Sequence, residues 1–553
     1  MNIKSPKFKI IGVFALALTL LVSFSNPSDR YFEIAKNLDI FASLFKEVNT
    51  LYVDEVNPNK VIKTGIDAML ASLDPYTNYI PEDDVETFRT QSTGQYGGIG
   101  AVTTRWGDKI KVVMLIEGYS AEKNGLKIGD EIIKIDNIDI NGMSREATSD
   151  LMKGQANTSV SLTVLRHGQK DPIKLDFKRE KVKISNVPYS GMVTGDIGYV
   201  KLTEFTMQAG KEVKDAVVAL LDQGAKKIIL DVRDNPGGLL MEAVNITNVF
   251  IPKGQPVVST KGKLTEHNAT YKTLNNPVAE DIPLAVLISS GSASASEIVA
   301  GTIQDYDRGV IIGQKSFGKG LVQVTRELSY NSHLKVTTAK YYTPSGRCIQ
   351  ALDYSYRNID GSVGSIPDSL KKEFATPNGR VVMDGGGIDP DITTREDELS
   401  PITYSLYRKG LIFDYATIYY YQHPEIAGAQ DFHLSDSEYA AFKTWLADKD
   451  YDYTTQVEVK LKELAKNAKK EKYYDDIKAR IEQIESTLQA SKNNDLDDFE
   501  DQIRVMLEDE IITRYYLEKG AVEASFAHDL EVKKAIEVLN DQTLYKKILS
   551  SPQ

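Results

Sequence analysis

The segment LAVLISSGSASASEIVAGTIQDY, residues 284–306, decides how the middle of the chain is interpreted. Its apolar start predicts a buried strand, and its second half predicts a helix. The tiny residues between them predict a sharp turn that presents a serine hydroxyl at the carboxyl edge of a sheet. Backbone N–H groups at the helix N-terminus would then favour an oxyanion. The residues alone leave Ser292, Ser294 and Ser296 open as nucleophiles, and a plain helix N-cap is the alternative.

The flanking segments extend this pattern in both directions. IGYVKL (197–202), KIILDVR (227–233) and GVIIG (309–313) are apolar and predict strands, whereas residues 208–222 predict an amphipathic helix. Strands that alternate with helices indicate βα units around a largely parallel sheet.

A serine nucleophile needs a base, and no histidine lies in a local motif that resembles a hydrolase signature. The segment GVIIGQKSFGKGLVQV, residues 309–324, offers Lys319 between two glycines, with Lys315 as a competitor on the same loop. A lysine with the ordinary pKa of about 10.4 is almost entirely charged at pH 7, and burial lowers that pKa. A drop of about three units costs roughly 4 kcal/mol, which the fold must supply.

A second loop follows another predicted strand. DVRDNPGG, residues 231–238, places a Pro-Gly-Gly turn at the end of that strand. Such a turn exposes backbone N–H groups that no side chain covers, which suits an oxyanion donor. A tight turn with no chemical role is the alternative.

Composition excludes several classes of protein. The chain has 553 residues, 41% of them hydrophobic and 26% charged, which is typical of a multidomain globular protein. Its formal net charge of −12 disfavours nucleic acid as a partner. Cys348 is the single cysteine, which excludes a disulfide framework and a Cys-rich zinc site. The six histidines show no pair at metal-ligand spacing, so a metal site is possible but unsupported. A serine nucleophile with a lysine base requires no metal and no organic cofactor, and we predict none.

The N-terminus has the pattern of a targeting segment. Lys4, Lys7 and Lys9 precede an apolar run at residues 10–24, so residues 1–25 predict a secretory signal peptide or a short membrane anchor. We therefore expect an exported protein, periplasmic or at the cell envelope, which a retained segment would attach to the inner membrane.

Changes in residue pattern and predicted secondary structure divide the rest of the chain into domains. Residues 26–88 predict a helical segment, 89–180 a β-rich module of short alternating strands, 181–395 an αβ core, and 396–553 a charged helical extension. Apolar stripes in the first segment and at 477–488 permit a homodimer.

Four ordered motifs together resemble the carboxyl-terminal processing proteases, the tail-specific Ser-Lys peptidase family. They are IGYVKLTEF (197–205), LDVRDNPGG (230–238), GSASASEIVAG (291–301) and GQKSFGKGLVQ (313–323). GGGIDPDI (385–392) resembles the end of that family's core, so the resemblance spans roughly residues 30–392. It implies a crotonase-like αβ core in an α+β multidomain chain.

The resemblance also implies roles for individual residues. Ser294 would be the nucleophile, Lys319 the general base, and Gln323 the residue that orients the lysine. The oxyanion hole would combine the N–H of Ala295 with one from Gly237 or Gly238.

The β-rich module is similar to the family's inserted PDZ domain. Gly97, Gly98, Ile99 and Gly100 resemble its carboxylate-binding loop. This implies capture of apolar C-terminal tails as an added strand, and a part in gating the active site. The implied function is a serine endopeptidase that cleaves exported proteins near or from their C-termini. The alternatives are a non-catalytic PDZ scaffold on a protease-like fold and a crotonase-like acyl-CoA enzyme.

Overall fold

The computed structural model describes residues 27–358, 362–395 and 398–550. The chain divides into two units, one that ends at Tyr79 and one that begins at Ile80. The predicted signal peptide or anchor, residues 1–25, lies outside the described residues. No helix within the described ranges has the length and apolar character needed to cross a membrane.

The first unit is helical, as predicted, with α1 (Pro27–Leu51) and α2 (Pro58–Ala71). Helix α2 begins where the side chain of Asn57 accepts a hydrogen bond from the N–H of Lys60, and Pro58 occupies its first turn. Apolar side chains of α1, such as Leu38 and Leu44, are 64% and 58% exposed. The apolar face of α1 is therefore exposed to solvent.

Strand β1 (Asn78–Ile80, which begins in the first unit) and helix α3 (Val85–Thr93) come before the predicted β-rich module. The elements of the module are β2 (Gln95–Gly98), β3 (Ala101–Trp106), β4 (Lys109–Leu115), α4 (Ser120–Lys123), β5 (Glu131–Ile135), β6 (Ile138–Asp139), α5 (Arg145–Met152), β7 (Ser159–Leu165), β8 (Ile173–Lys178) and β9 (Glu180–Lys183). The main sheet is antiparallel in the order β3-β4-β5-β7-β8, which makes β3 an edge strand. Alternation along β7 buries Val160, Leu162 and Val164 in the module's core.

An αβ core follows. Its elements are β10 (Tyr189–Thr194), β11 (Ile197–Lys201), α6 (Ala209–Asp222), β12 (Lys227–Asp231), α7 (Leu240–Thr247), β13 (Pro256–Gly262), β14 (Ala269–Lys272), β15 (Leu284–Ile288), α8 (Ala295–Asp305), β16 (Val310–Gly313), β17 (Leu321–Glu327), β18 (His333–Tyr342), β19 (Leu352–Arg357), β20 (Val363–Ser365), β21 (Glu373–Ala375), β22 (Val381–Met383) and β23 (Ile392–Thr393).

The central sheet of this core has the order β10-β11-β12-β15-β16-β23. Only the β10–β11 pair is antiparallel, so the predicted parallel arrangement is confirmed. Helices α6, α7 and α8 cover one face of this sheet. A second, antiparallel sheet of β14, β13, β18 and β17 lies beside it and carries Gln323 opposite Thr337.

The remaining residues form the predicted helical extension. Its helices are α9 (Pro401–Arg408), α10 (Leu411–Gln422), α11 (Asp436–Leu446), α12 (Gln456–Glu471), α13 (Tyr474–Lys492), α14 (Asp495–Asp498), α15 (Glu500–Ser525), α16 (Leu530–Asn540) and α17 (Gln542–Ser550). Phe413 of α10 is buried in the core of the β-rich module, 4.7 Å from the ring of Trp106. Val532 and Leu539 of α16 pack on the second face of the central sheet. The extension thus contacts both preceding domains.

Candidate active site

Ser294 occupies the turn between the buried strand β15 and helix α8, where it is the N-cap residue. Its backbone has φ of +55° and ψ of −109°, which is unusual for a residue with a side chain. Such a conformation costs on the order of 1–3 kcal/mol and persists only where the surrounding structure enforces it. The turn therefore presents the serine in a fixed, strained position.

The three serines that the sequence left open have different surroundings. Ser292 is buried, and its hydroxyl donates to the carbonyl oxygen of Val232 at 2.7 Å. Ser296 is also buried and donates to the carbonyl oxygen of Asn235 at 2.9 Å. Ser294 instead lines an open cleft. Of the three, only Ser294 could meet a substrate.

This cleft has a volume of about 630 Å³ and brings all the predicted catalytic residues together. Every catalytic and oxyanion residue predicted above lines it: Ser294, Ala295, Lys319, Gln323, Gly237 and Gly238. The cleft is also lined by three further side chains with titratable groups, Glu204, Lys335 and Tyr341. No histidine is found among the lining residues in the described part of the chain.

The two candidate lysines also differ in their surroundings. Lys315 is exposed and forms an ion pair with Asp389 at 2.9 Å, whereas Lys319 lines the cleft. The glycines beside Lys319 allow the backbone to pack closely. A Cβ at Gly318 would lie 2.4 Å from the Cβ of Ala351, and φ of Gly318 is +87°. Lys319 thus lies on a loop whose path depends on glycine.

Glu297 connects the serine turn to the loop that carries Lys319, residues 314–320 between β16 and β17, which we call the lysine loop. Its side chain is fully buried and accepts four hydrogen bonds. One oxygen accepts from the Ser316 hydroxyl at 2.6 Å and the Gly318 N–H at 2.7 Å. The other accepts from the N–H groups of Ser294 at 2.8 Å and Lys319 at 2.9 Å. Because one oxygen binds both N–H groups, the backbones of Ser294 and Lys319 are held side by side.

Burial raises the pKa of Glu297, and its four hydrogen bonds oppose that rise. Four donors match the acceptor capacity of an ionised carboxylate, so we assign the charged form. Glu297 was not among the residues predicted from the sequence. The spacing from Ser294 to Glu297 is that of a capping box, which predicts the bond to Ser294 but not the three others.

Two further contacts fix the cleft around Ser294. The hydroxyl of the buried Tyr341 donates to the carbonyl oxygen of Ser294 at 3.1 Å. The side-chain amide of Gln323 donates to the hydroxyl of Thr337 at 3.1 Å. Both contacts come from the second sheet, which forms the wall of the cleft opposite the serine turn.

The Pro-Gly-Gly loop lies directly against the serine turn. A Cβ at Gly237, where φ is +96°, would lie 2.9 Å from the Cβ of Ser294. The N–H of Gly237 donates to the side chain of Asn235 at 2.9 Å and is therefore occupied. In the described part of the chain, no hydrogen bond uses the N–H of Gly238 or that of Ala295. Of the two glycines, Gly238 is thus the better placed to join Ala295 as an oxyanion donor.

A separate groove of about 460 Å³ lies along the edge strand β3, between this strand and α5. Gly98 and Ile99 line it, and the buried side chains of Ile99 and Met152 form its apolar floor. Gly97 and Gly100 shape the loop without lining the groove. A Cβ at Gly97 would lie 1.9 Å from the carbonyl oxygen of Gly154.

Three parts of the chain match the models of known protein families. Family models match as "Peptidase family S41" at residues 196–355, "PDZ domain" at 112–166, and "Probable PDZ-protease, C-terminal helical domain" at 402–539. A carboxy-terminal-processing protease of Bartonella bacilliformis is 38% identical over 354 residues, which cover 63% of this chain and 81% of the relative.

The chain belongs to peptidase family S41. It is a serine peptidase that carries a PDZ domain and a helical C-terminal domain. A "Probable CtpA-like serine protease" of Staphylococcus aureus is 35% identical over 69% of this chain and 75% of its own length. A solved photosystem II D1 C-terminal processing protease is 26% identical over 64% of this chain and 87% of its own, with a TM-score of 0.36.

The cleft of this S41 peptidase contains two more titratable groups that the sequence analysis did not single out. Lys335 on β18 lines it, and burial lowers the pKa of this lysine. Burial also raises the pKa of Glu204. Lys335 is therefore a rival to Lys319 as a base, although the Glu297 carboxylate that binds the Ser294 N–H binds that of Lys319 and not that of Lys335.

Proposed function

We propose that this S41 peptidase is a Ser-Lys endopeptidase that cleaves exported proteins near or from their C-termini, with Ser294 as nucleophile and Lys319 as general base. The observation that carries the proposal is the Glu297 carboxylate, which binds the backbones of both residues in a cleft lined by no described histidine. The non-catalytic scaffold has no comparable support, because it would not require this arrangement.

The mechanism follows from the positions of these groups. The neutral amine of Lys319, oriented by Gln323, removes the proton from the Ser294 hydroxyl as that oxygen attacks the scissile carbonyl. The N–H groups of Gly238 and Ala295, with the positive end of the α8 dipole, stabilise the oxyanion. Lys319 then gives its proton to the leaving amine. Water hydrolyses the resulting acyl-enzyme ester, with Lys319 again accepting a proton, and Ser294 is restored.

The PDZ groove supplies the proposed selectivity for C-terminal tails. A substrate tail would add as a strand to the open edge of β3, with its carboxylate against the backbone of residues 97–100. Ile99 and Met152 would receive an apolar terminal side chain. Binding in this groove would gate the cleft.

Several finer predictions join this proposal. We propose that the αβ core is crotonase-like and that the domains follow the boundaries predicted from the sequence. The apolar run at residues 10–24 would direct export to the periplasm or cell envelope, either as a cleaved signal or as an inner-membrane anchor. Homodimerisation through the exposed face of α1 stays a prediction.

Tail preference provides the experimental test. We expect an unfolded substrate ending in three alanines to be cleaved with a kcat/KM at least about 10-fold higher than the same substrate ending in three aspartates, mostly through KM. A charged tail would have to place carboxylates against an apolar floor, which is unfavourable. Product masses and initial rates give the measurement.

Two outcomes would contradict the proposal in different ways. Equal rates on the two substrates would contradict the proposed capture of C-terminal tails by the PDZ groove, but not the proposed peptidase mechanism. Undiminished cleavage by purified Ser294→Ala would remove the catalytic assignment. Absence of cleavage by the unmodified protein would favour the scaffold.

A further inference from the structure

The helical C-terminal domain contacts the start of the oxyanion loop, residues 232–239 between β12 and α7, which contains the Pro-Gly-Gly turn. Arg233 lies between the end of β12 and the Pro-Gly-Gly turn, and its guanidinium donates to Asp231 at 2.6 Å. The same guanidinium donates to both oxygens of Asp529, at 3.0 and 2.7 Å, and to Glu531 at 3.1 Å. Asp529 and Glu531 lie nearly 300 positions further along the chain, at the start of α16.

The same glutamate also reaches the root of the lysine loop. Glu531 accepts from the side-chain amide of Gln314 at 2.7 Å and from the hydroxyl of Thr394 at 2.6 Å. Gln314 immediately follows β16 and opens the loop that carries Lys319. One carboxylate therefore contacts the starting points of both loops that build the active site.

These contacts lie in a protected environment. The side chains of Arg233, Asp529 and Glu531 are 19%, 12% and 12% exposed, so water screens their charges only in part. The carboxylates around Arg233 raise the pKa of its guanidinium, despite burial that favours the neutral form. The paired, bidentate geometry is the strong form of a charge-assisted hydrogen bond.

Helix α16 is attached to the central sheet through a separate, apolar surface. Val532, Ala535, Val538 and Leu539 are buried against the central sheet, so removing the carboxylates leaves the apolar contact of the helix intact. The two acidic residues are thus not needed to attach α16. Apart from the N-cap bond that Asp529 accepts from the N–H of Val532 and the bond of Glu531 to Thr394, their side-chain hydrogen bonds are to Arg233 and Gln314, where the two loops begin.

We propose that Asp529 and Glu531 are positioning residues of the peptidase, through which the C-terminal helical domain holds the oxyanion loop and the lysine loop in register. The proposal rests on the Ser-Lys mechanism proposed above. It assigns this domain a part in the chemical step, because a displacement of about 1 Å at reacting groups can cost about 100-fold in rate.

The test compares Asp529→Asn, Glu531→Gln and the double variant with the full-length enzyme on one unfolded substrate. Asparagine still caps a helix, so Asp529→Asn keeps the start of α16 while weakening the bond to Arg233. We expect kcat to fall about 10-fold in each single variant and about 100-fold in the double variant, with KM changed less than 2-fold. Affinity of the PDZ groove for an alanine-terminated peptide should stay unchanged.

Glu537→Gln is the matched control, because Glu537 lies on the same helix and forms an exposed ion pair with Lys534. It should retain unmodified kcat. Thermal unfolding gives the folded fraction of each variant, and rates are expressed per folded molecule. If Glu531→Gln does not fold, Glu531→Asp replaces it in the test. This variant keeps the negative charge but has a shorter side chain, and we expect a similar fall in its kcat.

An unchanged kcat per folded molecule in the double variant would overturn the inference, as would a loss confined to KM. The Ser294→Ala variant distinguishes a failure of this inference from a failure of the Ser-Lys mechanism on which it rests. If Ser294→Ala is inactive and the double variant is fully active, only the positioning role fails. If Ser294→Ala cleaves normally, the Ser-Lys assignment fails, and with it the basis of the inference.

Discussion

Lys319→Met is expected to lower kcat/KM by about 10⁴-fold with little effect on stability. Methionine reproduces the lysine side chain as far as its Cε atom, so it keeps most of the packing in the cleft, but it has no amine to accept the Ser294 proton. Positioned acid–base groups contribute about 10²–10⁴-fold, and here one amine serves as base and then as acid, so we expect the upper end. Initial rates on an unfolded protein substrate give the measurement.

Two other lysines provide the comparison for this result. Lys315→Met removes an exposed lysine on the same loop, outside the cleft, and should retain activity within about 2-fold. Lys335→Met removes a lysine that lines the cleft and should act mainly on KM. If Lys335→Met is inactive while Lys319→Met keeps more than a tenth of the activity, Lys335 is the base and our assignment is wrong.

Glu297→Gln is expected to have the second-largest effect, on stability and on activity together. A glutamine has one acceptor oxygen, and its NH₂ group would face two of the N–H or O–H donors that now bind the carboxylate. Leaving two buried donors unsatisfied costs roughly 1–3 kcal/mol for each in unfolding free energy. The N–H groups of Ser294 and Lys319 share one oxygen of Glu297, so an NH₂ group at that position breaks both bonds together. We therefore also expect kcat per folded molecule to fall at least about 100-fold.

Denaturant unfolding and rates at low temperature separate these two effects. Glu438→Gln is the control, because Glu438 forms a capping box with Ser435 at the start of α11, at a more exposed position. It should lose about 1 kcal/mol or less and keep its kcat. If Glu297→Gln lost stability but kept kcat per folded molecule, Glu297 would be structural rather than positioning.

The sequence predicted the central architecture because local patterns determine it. The apolar run that becomes β15 and the helical spacing after it are properties of neighbouring residues, and so is the sharp turn between them. The β-rich module was predicted for the same reason, since strict alternation in segments such as β7 indicates one buried face. Its assignment as a PDZ domain came from the family resemblance.

The choice among serines and lysines could not come from local patterns. Ser292 and Ser296 are excluded by hydrogen bonds to residues about 60 positions away, and Lys315 by its ion pair with Asp389. Family resemblance selected Ser294 and Lys319 without giving this reason. The bond between Gly237 and Asn235, which occupies one of the two predicted oxyanion donors, depends on side-chain orientation in a turn.

Contacts between distant domains were the least predictable. Nothing in the acidic residues at the start of α16 indicates that they meet Arg233 and Gln314, because those pairs are separated by more than 200 positions. The insertion of Phe413 into the PDZ core is similar, since a single apolar residue in an apolar helix carries no signal of its partner.

The most direct test of the central claim is to find which residue becomes covalently modified in the active enzyme. After reaction with a fluorophosphonate, which phosphonylates activated serines, peptide mapping by mass spectrometry should locate one adduct on Ser294. Its formation should be strongly slowed in Lys319→Met and unaffected in Lys315→Met. An inactivated enzyme whose adduct lies on another serine, with Ser294 unmodified, would contradict the account.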